Sequence, residues 1–272
     1  PAVRAKDLPG MADIDSSLYL FSCVIKERDI VGLSGEAADE IFGGYPWFRR
    51  ETDIRANTFP WVRRLEERVR LLSPEIVNLI RPEEYLAARY REALVEVPRL
   101  PGEEPRAARM REISYLSITR FMQVLLERKD RMSMAVGLEI RVPYCDHRLV
   151  DYVWNIPWEM KYYNQTEKSV LRNALSGVLP DEVLWRRKSP YPKTHNPAYA
   201  SIIRERLLRI LDDPASPIRT LLDVPAVRAL TEANGTRVNI PFFGQLMTGT
   251  QLMAYLIQVD IWLREYRVVL RC

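Results

Sequence analysis

The chain is expected to be mainly α-helical with a small α/β portion. Apolar residues recur at helical spacing over most of its length, with Arg and Glu between them. One short apolar run, Ile30-Val31-Gly32-Leu33, reads as a buried strand that breaks at Ser34-Gly35 into a helix-permissive segment. Residues 1–50 therefore look like one α/β unit of a parallel sheet rather than a whole sheet.

Taken in order, Ser16 or Ser17 is placed to cap a helix carrying Leu18, Tyr19, Phe21, Val24 and Ile25. Asp29 turns the chain into the strand, and the helix after Glu36 stops at Gly43-Gly44. From Pro60, Trp61, Leu65, Val69 and Leu72 recur on a helical period; Pro82 suits the first position of a further helix with Tyr85, Leu86, Ala88, Tyr90 and Leu94. Residues 98–105 form a loop by their breakers, so 51–106 reads as a helical excursion. Over 107–136 a long helix turns Met110, Ile113, Leu116, Phe121, Val124, Leu125 and Met132 inward and ends at Gly137. Asp146 caps a helix carrying Leu149, Val150 and Val153, stopped by Pro157, and Thr166 caps the next, which runs to Gly177. Ser189 to Pro197 is a proline-rich loop. The rest of a helical C-terminal part, 107–272, breaks at Pro214, Pro217, Pro225 and Asn234-Gly235 and closes with a helix over 250–266 carrying Leu252, Tyr255, Leu256, Val259 and Trp262. These last helices pack on the core or face another subunit of a homodimer.

Composition narrows the function. The 272 residues are 47% hydrophobic and 28% charged, an ordinary soluble composition. No apolar run approaches a bilayer-spanning length. The net charge of +4 is interspersed and no nucleic-acid motif is present, so neither membrane nor nucleic acid is expected as a partner. Cys23, Cys145 and Cys272 are odd in number with no C-x-x-C pair, which reads as reduced thiols in a cytoplasmic protein; Cys23 and Cys145 sit among apolar neighbours as small core residues. With only His147 and His195, a His-rich metal centre is excluded.

The chemistry concentrates at the strand-to-helix turn, where Ser34 and Gly35 precede Glu36, Asp39 and Glu40. Ligands bind α/β sheets at the carboxyl ends of strands, and helix N-termini hold phosphate. Acids at a helix start are also favoured by the dipole without any function, and Gly35 could serve only a tight turn. Asp39 is a candidate for orienting a substrate amino group or Mg2+, with a structural cap or ion pair as the alternative; Glu40 is the weaker candidate. Lys168, two residues after Thr166, is a cation at the positive end of a helix, a misfit that phosphate binding would explain. Arg172 follows at i+4 on the same face and could equally be a salt-bridging arginine. Glu139 and Arg141 share a face of an extended segment and read as a structural ion pair, as do Asp130 and Arg131 near the end of the long helix.

Three blocks carry a family resemblance. Leu33-Ser34-Gly35-Glu36-Ala37-Ala38-Asp39-Glu40-Ile41-Phe42-Gly43-Gly44-Tyr45 resembles the L-S-G-E-G-x-D-E-x-F-G-G-Y signature of the glutamine-hydrolysing asparagine synthetases. Asp130-Arg131-Met132-Ser133-Met134-Ala135 followed by Gly137-Leu138-Glu139-Ile140-Arg141-Val142-Pro143-Tyr144-Cys145-Asp146 resembles their D-R-x-S-M-A-x-G-L-E-x-R-x-P-F-L-D, and Glu167-Lys168-Ser169-Val170-Leu171-Arg172 their K/E-K-x-x-L-R helix. The resemblance implies the C-terminal part of an adenine-nucleotide α-hydrolase-like (PP-loop ATPase) synthetase domain. It further implies ATP and Mg2+ as cofactors, aspartate as substrate and ammonia from a glutaminase domain. In the family Ser34-Gly35 contacts adenosine, Glu36 meets the β-aspartyl-AMP intermediate, and Lys168 neutralises phosphate charge. The D-S-S of Asp15-Ser16-Ser17 lacks the glycines of the family's S-G-G-x-D-S-S pyrophosphate loop and is not that loop. With neither that loop nor an N-terminal catalytic cysteine, residues 1–272 alone are expected to have little activity. A relative amidating another acid or closing a β-lactam, or a non-catalytic helical module, are the alternatives.

Overall fold

The computed structural model describes residues 1–191, 194, 196–236 and 238–269. His195 and Cys272 lie outside these, as does part of the proline-rich loop. The described chain is mainly helical, with one two-stranded parallel sheet. Strand β1 (Val31–Leu33) pairs with β2 (Glu139–Arg141) in the register Val31↔Glu139, Gly32↔Ile140 and Leu33↔Arg141. Beyond the strand, the Ser34 N–H donates to the Arg141 carbonyl at 2.9 Å and anchors the start of the turn.

β1 is not buried. Ile30 is 72% and Leu33 77% exposed, and Leu20, Phe21 and Val24 of the Ile14–Lys26 helix also face outward. A parallel strand is apolar because it is normally covered on both faces, so its composition states a demand for cover rather than its presence. That helix starts at Asp13, not at Ser16 or Ser17, and Asp13 makes no capping bond; its carboxylate accepts from the Thr194 N–H at 2.9 Å and the Thr194 hydroxyl at 2.8 Å instead.

The long helix runs from Pro105 to Met134 with a π-helical stretch at Ser117–Phe121, and Gly137 terminates it with φ +73°. Asp146 caps His147–Trp154 by accepting the Arg148 N–H at 2.9 Å. Pro82 opens Pro82–Val95 as expected, but the period beginning at Trp61 breaks into short helices, Leu65–Val69 and Pro74–Ile80. The last helix is Gly249–Glu265. Thr166 caps nothing: the next helix is Ser169–Ala174, preceded by Lys168 in a left-handed conformation with φ 56°. Cys23 and Cys145 are free and half-buried rather than core residues.

The main core gathers aromatic rings. Tyr45 stacks on Trp47 at 4.1 Å, and Phe121 meets Tyr45, Trp47 and Trp61 at 5.4, 5.0 and 5.1 Å. Buried residues from 11 to 263 join this one cluster. The Ala38–Phe42 helix packs instead with Val153 in a smaller cluster and ends at Gly43, whose φ is +71°. Trp158 lies so close that a Cβ on Gly43 would come within 2.3 Å of its ring. Gly43→Ala combines a left-handed L-residue with this overlap and should cost about 2–4 kcal/mol, read by urea unfolding; an unchanged midpoint would mean that the ring moves freely.

Candidate active site

The turn after β1 opens a cavity of about 450 Å3 lined by Ser34, Gly35, Glu36, Asp39, Arg128 and Lys188 among others. It adjoins a second cavity of about 410 Å3, which adds Lys168; Asp39, Arg186, Lys188 and Ser189 line both. At the entry the Glu36 N–H donates to Ser34 Oγ at 3.4 Å. Gly35 has no positive φ, and a Cβ there would meet nothing within 4 Å. The tight-turn reason for this glycine therefore fails: the fold does not need it, and the open backbone is free for a ligand to approach.

Glu36 lies ahead of the Ala38–Phe42 helix, not in its first turn. Its Oε1 is 3.2 Å from Arg128 Nη2 and 3.5 Å from Lys129 Nζ. Its Oε2 is buried without a protein partner among the described residues. One oxygen is thus held by cations while the other remains available. The two cations come from adjacent positions of the long helix, which sequence reasoning passed over; their spacing from Leu125, at i+3 and i+4, was the signal.

Asp39 receives an ammonium on each oxygen: Lys168 Nζ at 3.0 Å from Oδ1 and Lys188 Nζ at 2.8 Å from Oδ2. Burial works against this charge, yet the two lysines outweigh it and hold the carboxyl below its usual range. Gly44 makes room, since a Cβ there would lie 2.0 Å from Asp39 Oδ1. Asp39 takes up the ion-pair arrangement with the two lysines, and no metal-binding group of three or more His, Cys, Asp or Glu exists among the described residues. No step is assigned to the metal here.

Lys188 is the residue the motifs did not reveal. Its Nζ also lies 5.4 Å above the Tyr45 ring. The only sequence signal is the Arg186-Arg187-Lys188 run before a proline-rich loop. Arg172 is buried and lines the smaller cavity together with Lys168, not the larger one. Its guanidinium donates to the carbonyls of Glu167 at 2.8 Å, Arg186 at 3.0 Å and Leu184, while Glu167 Oε1 accepts the Lys188 N–H at 3.1 Å. Arg172 thus builds the turn that presents Lys188. Glu139 and Arg141 form an exposed pair at 2.7 Å. Arg131 pairs with Asp7 at 3.3 Å rather than with Asp130.

Glu40 is 1% exposed and accepts the Tyr45 hydroxyl proton at 2.7 Å. Burial pushes its carboxyl up to about 7, against the pull of that hydrogen bond, with Asp39 adding to the rise. Between its ordinary value of 4.5 and about 7 the folded protein therefore holds a proton that the unfolded chain releases. Stability falls as pH rises through this window. Glu40→Gln removes this term, so the variant should gain on the parent by about 3 kcal/mol across it, measured by urea unfolding at several pH values; parallel profiles would place the Glu40 titration elsewhere.

Comparison with known proteins now identifies the setting of these residues. The asparagine synthase family model matches residues 1–264. Asparagine synthetase [glutamine-hydrolyzing] 3 of Bacillus subtilis (strain 168) is 51% identical over 267 residues, 98% of this chain and 43% of that protein. Asparagine synthetase [glutamine-hydrolyzing] 1 of the same organism is 30% identical over 205 residues, covering 64% of this chain and 32% of its own length. The Homo sapiens asparagine synthetase [glutamine-hydrolyzing] is 43% identical over 179 residues, 64% of this chain and 22% of that protein. The chain spans less than half the length of these curated relatives. No described helix is long and apolar enough to cross a membrane. The chain belongs to the asparagine synthase family.

Proposed function

We propose that the chain carries part of the adenylating and amidating site of an asparagine synthetase, which converts aspartate to asparagine with ATP through β-aspartyl-AMP. The names of its relatives supply glutamine as the source of the ammonia. The observation that carries this reading is a cavity system with an open Ser34-Gly35 turn, a Glu36 carboxylate with a free oxygen, and two lysines braced by Asp39.

In the first step an oxygen of the aspartate side-chain carboxylate attacks the α-phosphorus of ATP. The bond from that phosphorus to the bridging oxygen breaks and pyrophosphate leaves. Lys168 and Lys188 neutralise charge on the phosphates, and Asp39 keeps the two ammonium groups together before the nucleotide arrives, so little reorganisation is needed. Ser34 and the open backbone at Gly35 receive the adenosine end.

In the second step ammonia attacks the acyl carbonyl, the bond to the AMP oxygen breaks, and the nitrogen loses a proton. Glu36 Oε2 is the acceptor, and the cations on Oε1 fix the group in place. Arg172 acts at one remove, through the turn that holds Lys188.

The two steps separate experimentally in the protein that contains this chain, supplied with ATP, Mg2+, aspartate and ammonium. Glu36→Gln should retain aspartate-dependent exchange of pyrophosphate into ATP while asparagine formation falls about 100-fold or more. Lys188→Ala should depress both by a similar factor, since a charge-stabilising contact of this kind is worth about 3 kcal/mol. Exchange that depends on a different acid would overturn the substrate. Exchange lost in Glu36→Gln would move that residue to the first step.

A further inference from the structure

On the far side of Met11 lies another cavity, of about 410 Å3, which the reaction above does not use. Met11 and the 242–247 segment separate it from the cavity at the Ser34-Gly35 turn: Gly244, Gln245 and Leu246 face that one, while Phe242, Phe243 and Met247 face the apolar cavity. The segment is fixed by bonds from the Phe242 N–H to the Met247 carbonyl and from the Gly244 N–H to the Trp61 carbonyl, both 2.9 Å. The apolar cavity is a built feature of the helical part, and its size is that of a small-molecule site.

Its walls are mostly apolar, and among the described residues the only charged side chains lining it are cationic: Lys6 and Arg68. Lys6 has an acid behind it, Asp15, at 3.9 Å. Arg68 has none. Among the described residues no carboxylate lies within ion-pair distance of its guanidinium, because the neighbouring Glu66 and Glu67 approach Arg64, at 3.7 and 3.8 Å. The Arg68 Nε is buried without a hydrogen-bond partner, and the guanidinium lies over the Phe242 ring at 5.3 Å. Burial lowers the Arg68 pKa from its ordinary value, outweighing the opposite pull of Tyr255 and the more distant Glu66. The Tyr255 phenol lines the same space and is close enough to feel the Arg68 charge. A buried donor left unmade is costly, and a planar guanidinium fork matches a carboxylate.

We propose that this cavity binds a small monocarboxylic acid with an apolar body, its carboxylate on Arg68 and its hydrocarbon among the Phe242, Leu72 and Leu256 side chains. A phosphorylated ligand is disfavoured, since the second lining cation, Lys6, is already paired with Asp15 and leaves one guanidinium for an anion. Nothing in this assignment depends on the reaction proposed for the first cavity.

Calorimetric titration of the whole protein with 4-phenylbutyrate tests it. Saturable binding with Kd below about 1 mM is expected, given ordinary binding energies per ligand atom. The neutral 4-phenylbutanamide should bind at least about tenfold more weakly, and Arg68→Met should lose at least about tenfold, with Arg68→Lys intermediate. Excess ATP should not displace the acid. Absence of saturable heat, equal binding of acid and amide, or competition with ATP would each overturn the proposal. The amide comparison uses the unaltered protein, so it decides the matter even if Arg68→Met fails to fold.

Discussion

The candidate site depends on one carboxylate. Asp39 brings together two lysines that lie 20 positions apart in the chain and more than 120 positions from it. Two ammonium groups drawn into one half-buried space repel each other unless an anion sits between them, so Asp39 is the condition for the pair to exist before any ligand arrives. The backbone around it is shaped for this. Ala37 enters the short helix in a left-handed conformation, Gly43 leaves it in one, and Gly44 contributes no side chain where Asp39 Oδ1 must pass. Lys168 is itself left-handed, which places it just outside the helix it precedes. Two locally unfavourable dihedrals, at Ala37 and Lys168, thus converge on one ion pair, the pattern expected where strain is retained at a working site.

The three acids of this turn illustrate how far environment overrides sequence proximity. Glu36, Asp39 and Glu40 lie within five positions, yet each is in a different electrostatic state. Glu36 is held by cations through one oxygen. Asp39 is paired twice and held ionised. Glu40, driven inward by the helix turn, meets a phenol instead of a cation and is pushed toward neutrality. Separated titration of neighbouring carboxylates is how one site assigns distinct roles to identical chemistry. Here the fixed anion Asp39 and the buried Glu40 follow from which way each side chain leaves a five-residue helix, and Glu36 from its place in the turn ahead of it.

What was legible in the sequence is what local physics determines. The breaks at Gly43 and Gly137, the cap at Asp146 and the extent of the long helix all rest on backbone preferences of single residues, and they stand in the structure. The Ser34–Glu36 turn was legible from the break in the apolar run, not from any backbone demand of Gly35. Three kinds of feature were not. Burial of β1 was misread because apolarity reports what a strand requires, not what covers it. The cap at Thr166 failed because the ion pair to Asp39 favours a left-handed Lys168, a tertiary preference invisible along the chain. Lys188 and the role of Arg172 were missed because each acts through a contact with a distant segment, and a basic tripeptide before a proline-rich loop does not announce which of its charges turns inward.

Core and site are not separable in this protein. The π-helical stretch at Ser117–Phe121 adds a residue to one turn of the long helix and so rotates everything after it relative to everything before. Ahead of it, Met110, Ile113 and Leu116 enter the core; after it, Leu125, Arg128 and Lys129 line the cavity. Phe121 ends the stretch and belongs to both, packing on Tyr45, Trp47 and Trp61 while forming cavity wall. Tyr45 repeats the arrangement from the other side: it stacks on Trp47, donates to Glu40 and lies beneath Lys188. A change in the aromatic core is therefore felt at Glu40 and Lys188 without touching them, because two rings carry the packing and the charges at once. Interiors of this density shift between discrete arrangements rather than deform, so the aromatic cluster acts as the rigid template on which the charged groups are set out.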